Sequence, residues 1–138
     1  NKLIISEIVR MQQNAAACAT AFAQKGAEEA LRGSQDSVRK MVSEFERRRN
    51  LIVDELTSMK GFSVVKPKGA FYAFVNVEKL GKSSQGFAEY LLKEAKVVAT
   101  PGIAFGENGE GYLRISYATS IENIKEGLER IRQAVDKL

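Results

Sequence analysis

The sequence ATPGIAFGENGEGYLRISYA, residues 99–118, carries the clearest fold signal in the chain. Its pattern predicts two short strands, Val97–Ala99 and Tyr112–Ala118, joined by a glycine-rich loop over residues 106–111. We expect Pro101 to stop the first strand, because proline has no N–H to donate to a strand ladder. The segment therefore predicts a strand, a loop and a second strand.

One arginine stands out in the second of these strands. Alternation places Leu113, Ile115 and Tyr117 on one face, and Tyr112, Arg114, Ser116 and Ala118 on the other. Arg114 is thus held in mid-strand beside small or hydroxylated neighbours, with no carboxylate among them. A guanidinium fixed in this way suits a planar, bidentate anion such as a carboxylate. The strand alone is also compatible with a solvent-facing arginine, since antiparallel sheets commonly expose one face to water.

Composition limits the classes of protein that the chain can form. With 138 residues, 44% hydrophobic and 28% charged, it has room for one soluble domain with a core and a helical extension. No apolar run is long enough for a membrane span, and the first residues do not have the charged-then-apolar pattern of a secretory signal. The chain has no histidine and a single cysteine, Cys18, so the usual zinc ligand sets and Ser-His-Asp or Cys-His arrangements cannot be assembled. The lone cysteine fits a reducing compartment. We expect any chemistry to come from another part of the protein or from a cofactor.

The net charge of +4 is not by itself a sign of nucleic-acid binding. Acidic and basic residues occur together over residues 44–49, as they do on a solvated helix face. A nucleic-acid binder more often has a patch of cations with aromatic residues between them. We therefore expect no nucleic-acid partner.

The first half of the chain has helical periodicity. The pattern predicts helices over Asn1–Gln13 and Thr20–Leu31, the second ended by Gly33. A third, long helix is predicted after a cap at Ser34 or Asp36, and it ends at Lys60 before Gly61. Arginines 47–49 interrupt its apolar stripe, so we expect this helix to bridge two bodies.

From residue 62 the period changes to that of a sheet. Strands are predicted over Phe62–Val65 and Ala70–Val77, then a helix capped by Ser83 or Ser84, then the two strands described above. Thr119 and Glu122 form a capping box for a last helix. The order β-β-α-β-β-α predicts an α+β fold in which helices cover one side of a small, mainly antiparallel sheet.

Two other motifs have plain structural interpretations. Ser37 and Lys40 have the S-x-x-K spacing of some catalytic lysines, but they lie in the first turns of a helix, where a cap and a solvated charge are ordinary. The glycine-rich loop contains Glu107 and Glu110 and leads into a strand, whereas a phosphate cradle needs backbone donors without acids. We expect it to be a flexible hairpin connection.

Three ordered blocks together resemble a known family. They are KPKGAFYAFVNV (residues 66–77), TPGIAFG (100–106) and GYLRISYA (111–118), and FAQKGAEEAL (22–31) resembles a helix of the same family. In this order and spacing the blocks resemble the C-terminal part of class I/II aminotransferases, pyridoxal-phosphate enzymes of the aspartate aminotransferase fold type. The resemblance covers nearly the whole chain.

The resemblance implies a domain organisation and a set of roles. Residues 1–33 would end the large cofactor domain, and residues 34–138 would form the small C-terminal domain with a linking helix over 34–60. Arg114 would bind the substrate α-carboxylate, Phe71 would line the pocket beside it, and the 100–106 segment would move as the small domain closes. The pyridoxal 5'-phosphate lysine would lie outside this chain. The chain would then hold no catalytic residue and no metal site, and its cofactor contacts stay unassigned.

The implied parent is a cytoplasmic homodimer that transfers an amino group between an L-amino acid and an α-keto acid, and the isolated chain would be an inactive fragment, without membrane association. Two alternatives stay open: a C–S lyase or synthase of the same fold, and a non-catalytic α+β binding module. One segment departs from the family pattern: NAAACAT, residues 14–20, lacks the proline and most of the hydroxyls of a stretch that contacts the neighbouring subunit's cofactor. Gln12 and Gln13 stand where some dicarboxylate-specific members have an arginine, so a dicarboxylic substrate is neither favoured nor excluded.

Overall fold

The computed structural model describes residues 1–16 and 18–138. The described residues form five α-helices and one four-stranded sheet. The helices are α1 (Lys2–Ala15), α2 (Ala21–Arg32), α3 (Asp36–Ser58), α4 (Ser84–Tyr90) and α5 (Ile121–Val135), and the strands are β1 (Ser63–Val64), β2 (Tyr72–Asn76), β3 (Thr100–Pro101) and β4 (Tyr112–Ser116). The chain divides into two compact units, Asn1–Arg39 and Lys40–Leu138, and α3 runs across the division.

The first unit contains α1, α2 and the beginning of α3. The side-chain oxygen of Asn1 accepts the backbone N–H of Leu3 at 3.0 Å and so caps α1. This helix continues to Ala15, beyond the predicted end at Gln13, because alanine favours helix and nothing in the sequence stops it there. Helix α2 matches its predicted span closely, and Gly33 caps its C-terminus. The assignment of residues 1–33 to a larger domain remains a prediction.

Helix α3 is exposed in its first turns and packs into the core in its last turns. Ser34 accepts the backbone N–H of Asp36 and caps the beginning, as predicted. Arginines 47, 48 and 49 each pair with a glutamate, Glu44 or Glu46, one turn back. The last turns bury Ile52, Val53 and Leu56. The helix ends at Ser58, two residues before the predicted end at Lys60.

The sheet is antiparallel throughout, in the order β1-β2-β4-β3. Strand β4 is therefore central, paired with β2 over five residues and with β3 over two. The predicted α+β class and the order of strands and helices along the chain are confirmed. The strands are shorter than predicted: Phe62 and Val77 are buried but lie outside β1 and β2.

One predicted strand is misplaced. We expected Val97–Ala99 to be the strand and Pro101 to end it, but Thr100 and Pro101 themselves pair with Arg114 and Leu113. Strand β3 lies at the edge of the sheet, where a proline without an N–H costs no ladder bond on its open side. The rule that proline stops a strand therefore failed because it holds for interior strands only.

The core lies on one face of the sheet. Leu113 and Ile115 of β4 and Ala73 and Val75 of β2 are buried there against the end of α3, α4 and α5. Helix α4 continues as a π-helical turn over Leu91–Ala95 and ends at Lys96, which has a left-handed backbone (φ 55°). The other face of the sheet carries Tyr72, Phe74, Tyr112 and Arg114, which are half-buried or exposed.

The last helix is capped differently from the prediction. Ser120, not Thr119, is the N-cap of α5 and accepts the backbone N–H of Asn123, while the Thr119 hydroxyl accepts the side-chain amide of Asn123. One face of α5 is buried in the core, with Ile124, Leu128 and Ile131 on it. Among the described helices none is both long and apolar enough to cross a membrane.

Candidate functional site

Arg114 lies in the middle of the central strand, on the face of the sheet away from the core. It is paired across the ladder with Phe74 of β2 and Thr100 of β3. Its strand neighbours Leu113 and Ile115 are buried on the opposite face, so the backbone of Arg114 is fixed by the core. The predicted alternation is confirmed.

The guanidinium of Arg114 has aromatic neighbours and no acidic partner. Its central carbon lies 4.3 Å from the ring centroid of Tyr72 and 4.6 Å from that of Phe105. One terminal nitrogen reaches the Thr100 hydroxyl at 3.5 Å. Across residues 1–16 and 18–138, no carboxylate lies within ion-pair distance of Arg114. Since a half-buried cation is normally compensated, this arrangement leaves the guanidinium able to bind an anion.

The aromatic side chains form a connected cluster on this face, which we call the open-face cluster: Tyr72, Phe74, Phe105 and Tyr112. Phe74 stacks on Tyr112 with centroids 5.0 Å apart and the ring planes 9° from parallel. Phe105 meets Phe74 edge-on at 6.2 Å. Phe105 thus links the guanidinium of Arg114 to Phe74 and Tyr112, while Tyr72 contacts the guanidinium directly.

Phe71 lies just before β2 and is linked to the Arg114 guanidinium through Tyr72. The backbone carbonyl of Phe71 accepts the backbone N–H of Tyr117 at 2.9 Å. Phe71 therefore lies beside the residue that directly follows β4. Its ring lies 4.3 Å from that of Tyr72 and 6.2 Å from that of Phe45, and it is 39% exposed. Tyr72 therefore connects the two residues that the sequence singled out.

The loop after β3 is built from two short 3-10 turns, Gly102–Phe105 and Glu107–Gly109. The Glu110 carboxylate accepts the backbone N–H of Ser84 at 2.8 Å and its hydroxyl at 2.7 Å. These hydrogen bonds, with one from the Gly111 N–H, hold the pKa of Glu110 below its usual value. The loop is thus anchored to the beginning of α4, and its acidic groups make it unsuitable as a phosphate cradle, as the sequence indicated.

A pyridoxal phosphate site is not built from the described residues. The lysine side chains are exposed, so none is enclosed in a pocket that could hold a cofactor aldehyde. In the described part of the chain no group of three or more His, Cys, Asp or Glu could hold a metal ion. The residues present therefore do not fit this cofactor by themselves.

A cavity of about 320 Å³ lies elsewhere, between α5 and the segment after α4. Its lining includes Ile52, Val97, Ile115, Asn123 and Leu128. It contains neither Arg114 nor any member of the open-face cluster, and its charged residues Lys96, Glu126 and Arg130 are all exposed. This cavity therefore does not coincide with the surroundings of Arg114, which form the candidate site.

The sequence did not reveal Tyr72 and Phe105 as neighbours of Arg114. For Tyr72 a signal existed: in an antiparallel pair, alternate residues of β2 share the face of Arg114. For Phe105 there was none, because its position depends on how the loop after β3 folds.

The small antiparallel sheet covered by helices agrees with the fold that the resemblance implied, and comparison with known proteins shows the family. The family model described as "Aminotransferase class I and II" matches residues 1–131. The chain therefore belongs to the class I and II aminotransferase family.

Individual relatives agree with this assignment. The aromatic-amino-acid aminotransferase 2 of Thermococcus litoralis is 46% identical over 134 residues, which are 96% of this chain and 34% of that protein. The aspartate aminotransferase of Pyrococcus horikoshii is 42% identical over 135 residues, with 96% and 34% covered. The crystal structure of an aromatic aminotransferase from Pyrococcus horikoshii OT3 superposes with a TM-score of 0.83 at 43% identity, covering 97% of this chain and 36% of that one. The chain thus spans about a third of the length of the relatives it matches.

Proposed function

We propose that this chain forms the C-terminal part of a pyridoxal-phosphate-dependent aminotransferase, in which Arg114 binds the α-carboxylate of the amino-acid substrate. The observation that carries the proposal is the uncompensated guanidinium of Arg114 on the central strand. The whole enzyme would transfer an amino group between an L-amino acid and an α-keto acid. The names of the relatives, which act on aromatic amino acids or aspartate, support this substrate class.

Arg114 would act by orientation. A guanidinium can donate two parallel N–H bonds to one carboxylate, which fixes the rotation of the substrate as well as its position. Holding the α-carboxylate in one plane decides which bond of the α-carbon is aligned for cleavage. The packed strand beneath Arg114 fixes the point from which its side chain starts, because the backbone of a packed strand moves less than that of a loop.

Phe71 would line the substrate site next to Tyr72. Its ring packs on Tyr72, whose other neighbour is the guanidinium of Arg114. A half-exposed phenylalanine in this position could contact the apolar part of a bound amino acid. We therefore propose that Phe71 is a substrate-binding residue.

Family members generally use pyridoxal phosphate, which stabilises the carbanion formed when an amino acid loses its α-proton. Because the described residues do not build a site for this group, we propose that its lysine and phosphate contacts come from residues outside this chain. The contribution of this chain is then to bind the carboxylate and orient the substrate. We also propose a homodimeric, cytoplasmic enzyme; the free, exposed thiol of Cys18 fits a reducing compartment.

The test is made on the full-length protein that contains this chain, purified with pyridoxal phosphate. We expect Arg114→Lys to lower kcat/KM for the amino acid about 100-fold, because a lysine cannot form the two-pronged contact. Arg130→Lys, a matched change at an exposed arginine paired with Glu126 on α5, is expected to leave kcat/KM unchanged. Activity is measured as keto-acid formation coupled to amination of a second keto acid.

The outcomes separate the alternatives. Near-normal kinetics for Arg114→Lys would contradict the carboxylate role. Product release without amination of any keto acid would replace transamination by lyase or synthase chemistry on the same fold. A full-length protein that takes up no cofactor would favour the binding-module alternative.

A further inference from the structure

We propose that Phe105 is a positioning residue for Arg114: the ring of Phe105, together with that of Tyr72, holds the guanidinium in one plane with its nitrogen edge toward the ligand. This inference rests on the proposed role of Arg114. It gives the loop after β3 a part in binding, beyond the movement that the resemblance implied.

The geometry around the guanidinium supports this role. Tyr72 and Phe105 both lie close to its central carbon, at 4.3 and 4.6 Å. At such distances the ring quadrupole attracts the cation. Rings that stack on the faces of a guanidinium leave its N–H groups, which point outward in the plane, for hydrogen bonds. Of these N–H groups, one meets the Thr100 hydroxyl at 3.5 Å, a long and weak contact.

Conformational entropy explains why holding the guanidinium in place before binding would raise its affinity for a carboxylate. A free arginine side chain samples many rotamers, and fixing it when the ligand binds reduces affinity. A guanidinium already held by two rings has lost this freedom before the ligand arrives. The strand fixes only the Cα of Arg114; the rings fix the far end of its side chain.

Phe105 is itself held by contacts away from Arg114. Its ring meets Phe74 edge-on, and it ends the turn that begins at Gly102. The backbone of Gly102 passes so close to that of Gly109 that a Cβ on either residue would overlap the carbonyl oxygen of the other. The two turns of the loop are therefore locked against each other.

The loop is also attached to the rest of the domain. Glu110, at its end, accepts two hydrogen bonds from Ser84, which is fully buried at the beginning of α4. The backbone N–H of Ile103 approaches the same Ser84 hydroxyl at 3.5 Å. The position of Phe105 over Arg114 is thus set by the fold and needs no ligand.

The experiment compares a carboxylate substrate with its uncharged counterpart in the full-length enzyme. For Phe105→Leu we expect kcat/KM for an amino acid to fall about threefold to tenfold, from the loss of one cation–ring contact and its orienting effect. The same variant should leave kcat/KM unchanged for the α-carboxamide of that amino acid, which has no negative charge to bind. Phe105→Tyr keeps the ring and should retain the normal preference.

Two controls make the result specific. Ile103→Ala truncates another exposed apolar side chain of the same turn and should not alter the ratio of the two substrates. In the Arg114→Lys background, Phe105→Leu should have no further effect on that ratio, because the two residues act through one contact.

The two hypotheses fail in different ways. If Arg114→Lys removes the preference for the carboxylate and Phe105→Leu does not, the positioning role of Phe105 is wrong and the proposed function stands. If Arg114→Lys leaves the preference intact, the proposed function is wrong and this inference fails with it. An equal loss on both substrates in Phe105→Leu would indicate a merely structural residue.

Discussion

At the scale of single residues, the site depends on a cation that the domain itself does not neutralise. Arginines 47, 48 and 49 of α3 show the ordinary arrangement, since each has a glutamate one turn away. Arg114 instead has two rings and a distant hydroxyl. Rings compensate a guanidinium only partly, so an incoming carboxylate gains more from Arg114 than it would from a cation already paired.

Truncation of Phe71 tests whether its partly exposed ring contributes to substrate binding or only to packing. In Phe71→Ala we expect kcat/KM for the amino acid to fall about tenfold, with a loss of stability of about 1–2 kcal/mol, because the ring is only partly buried. Phe87→Ala is the control: Phe87 is fully buried, and its truncation should cost about 3–5 kcal/mol. Thermal unfolding and steady-state kinetics of the full-length protein measure both. A loss of stability equal to that of Phe87→Ala would make Phe71 a core residue.

The sequence predicted the candidate site only in part, for reasons visible at this scale. Strand alternation places Arg114 on the open face because side chains follow the backbone with a period of two. The contact with Phe105 requires the loop to fold back over β4. This fold depends on the close approach of Gly102 and Gly109, and no periodic pattern in the sequence predicts that approach.

At the scale of elements, the loop after β3 is specified by its glycines. In Gly109→Ala the new Cβ would overlap the carbonyl oxygen of Gly102. Because that oxygen belongs to the backbone, it cannot move aside as the end of a flexible side chain could. We expect the unfolding free energy to fall by about 1–3 kcal/mol.

Gly127 provides the matched control for this change. It lies inside α5, and no neighbouring atom comes within 4 Å of the point where an added Cβ would stand, so Gly127→Ala should stabilise the protein by about 0.5–1 kcal/mol. Both variants are compared by chemical denaturation of the full-length protein. Equal effects of the two substitutions would contradict the close approach of Gly102 and Gly109.

Element order was predictable, and element boundaries were not. Hydrophobic period distinguishes helix from strand over many residues, so the β-β-α-β-β-α order follows from the pattern. Boundaries depend on single competing hydrogen bonds: Ser120 caps α5 although Thr119 has the better capping-box spacing. Strand β3 starts at Thr100 because its position at the edge of the sheet, a tertiary property, tolerates Pro101.

At the scale of the whole molecule, the hydrogen bonds of Glu110 make stability depend on pH. Ser84 and Gly111 hold the pKa of this carboxyl below its usual value of 4.5, so in acid the unfolded state binds the proton more readily than the folded state. The stabilisation is therefore complete above about pH 4.5 and is lost as the pH falls through the lower folded pKa.

Glu110→Gln tests this dependence. We expect the variant to unfold at a lower temperature than the natural protein at about pH 7, and the difference to shrink as the pH falls below about 4.5. Glu94→Gln, at an exposed glutamate of the π-helical turn, should change the unfolding temperature little at either pH. A difference between Glu110→Gln and the natural protein that is constant with pH would show that Glu110 acts through packing and not through its charge.

The strand that carries Arg114 also supplies Leu113 to the middle of the core, leads directly into the buried Tyr117, and is paired on both edges. A segment of this kind separates from its neighbours only when the whole domain comes apart, whereas helix ends and loops open individually. We therefore expect the amide hydrogens of β4 that are bonded within the ladder to exchange with solvent mainly through global unfolding. Arg114 would then be carried by one of the slowly exchanging parts of the domain, whatever local opening the loops and helix ends undergo.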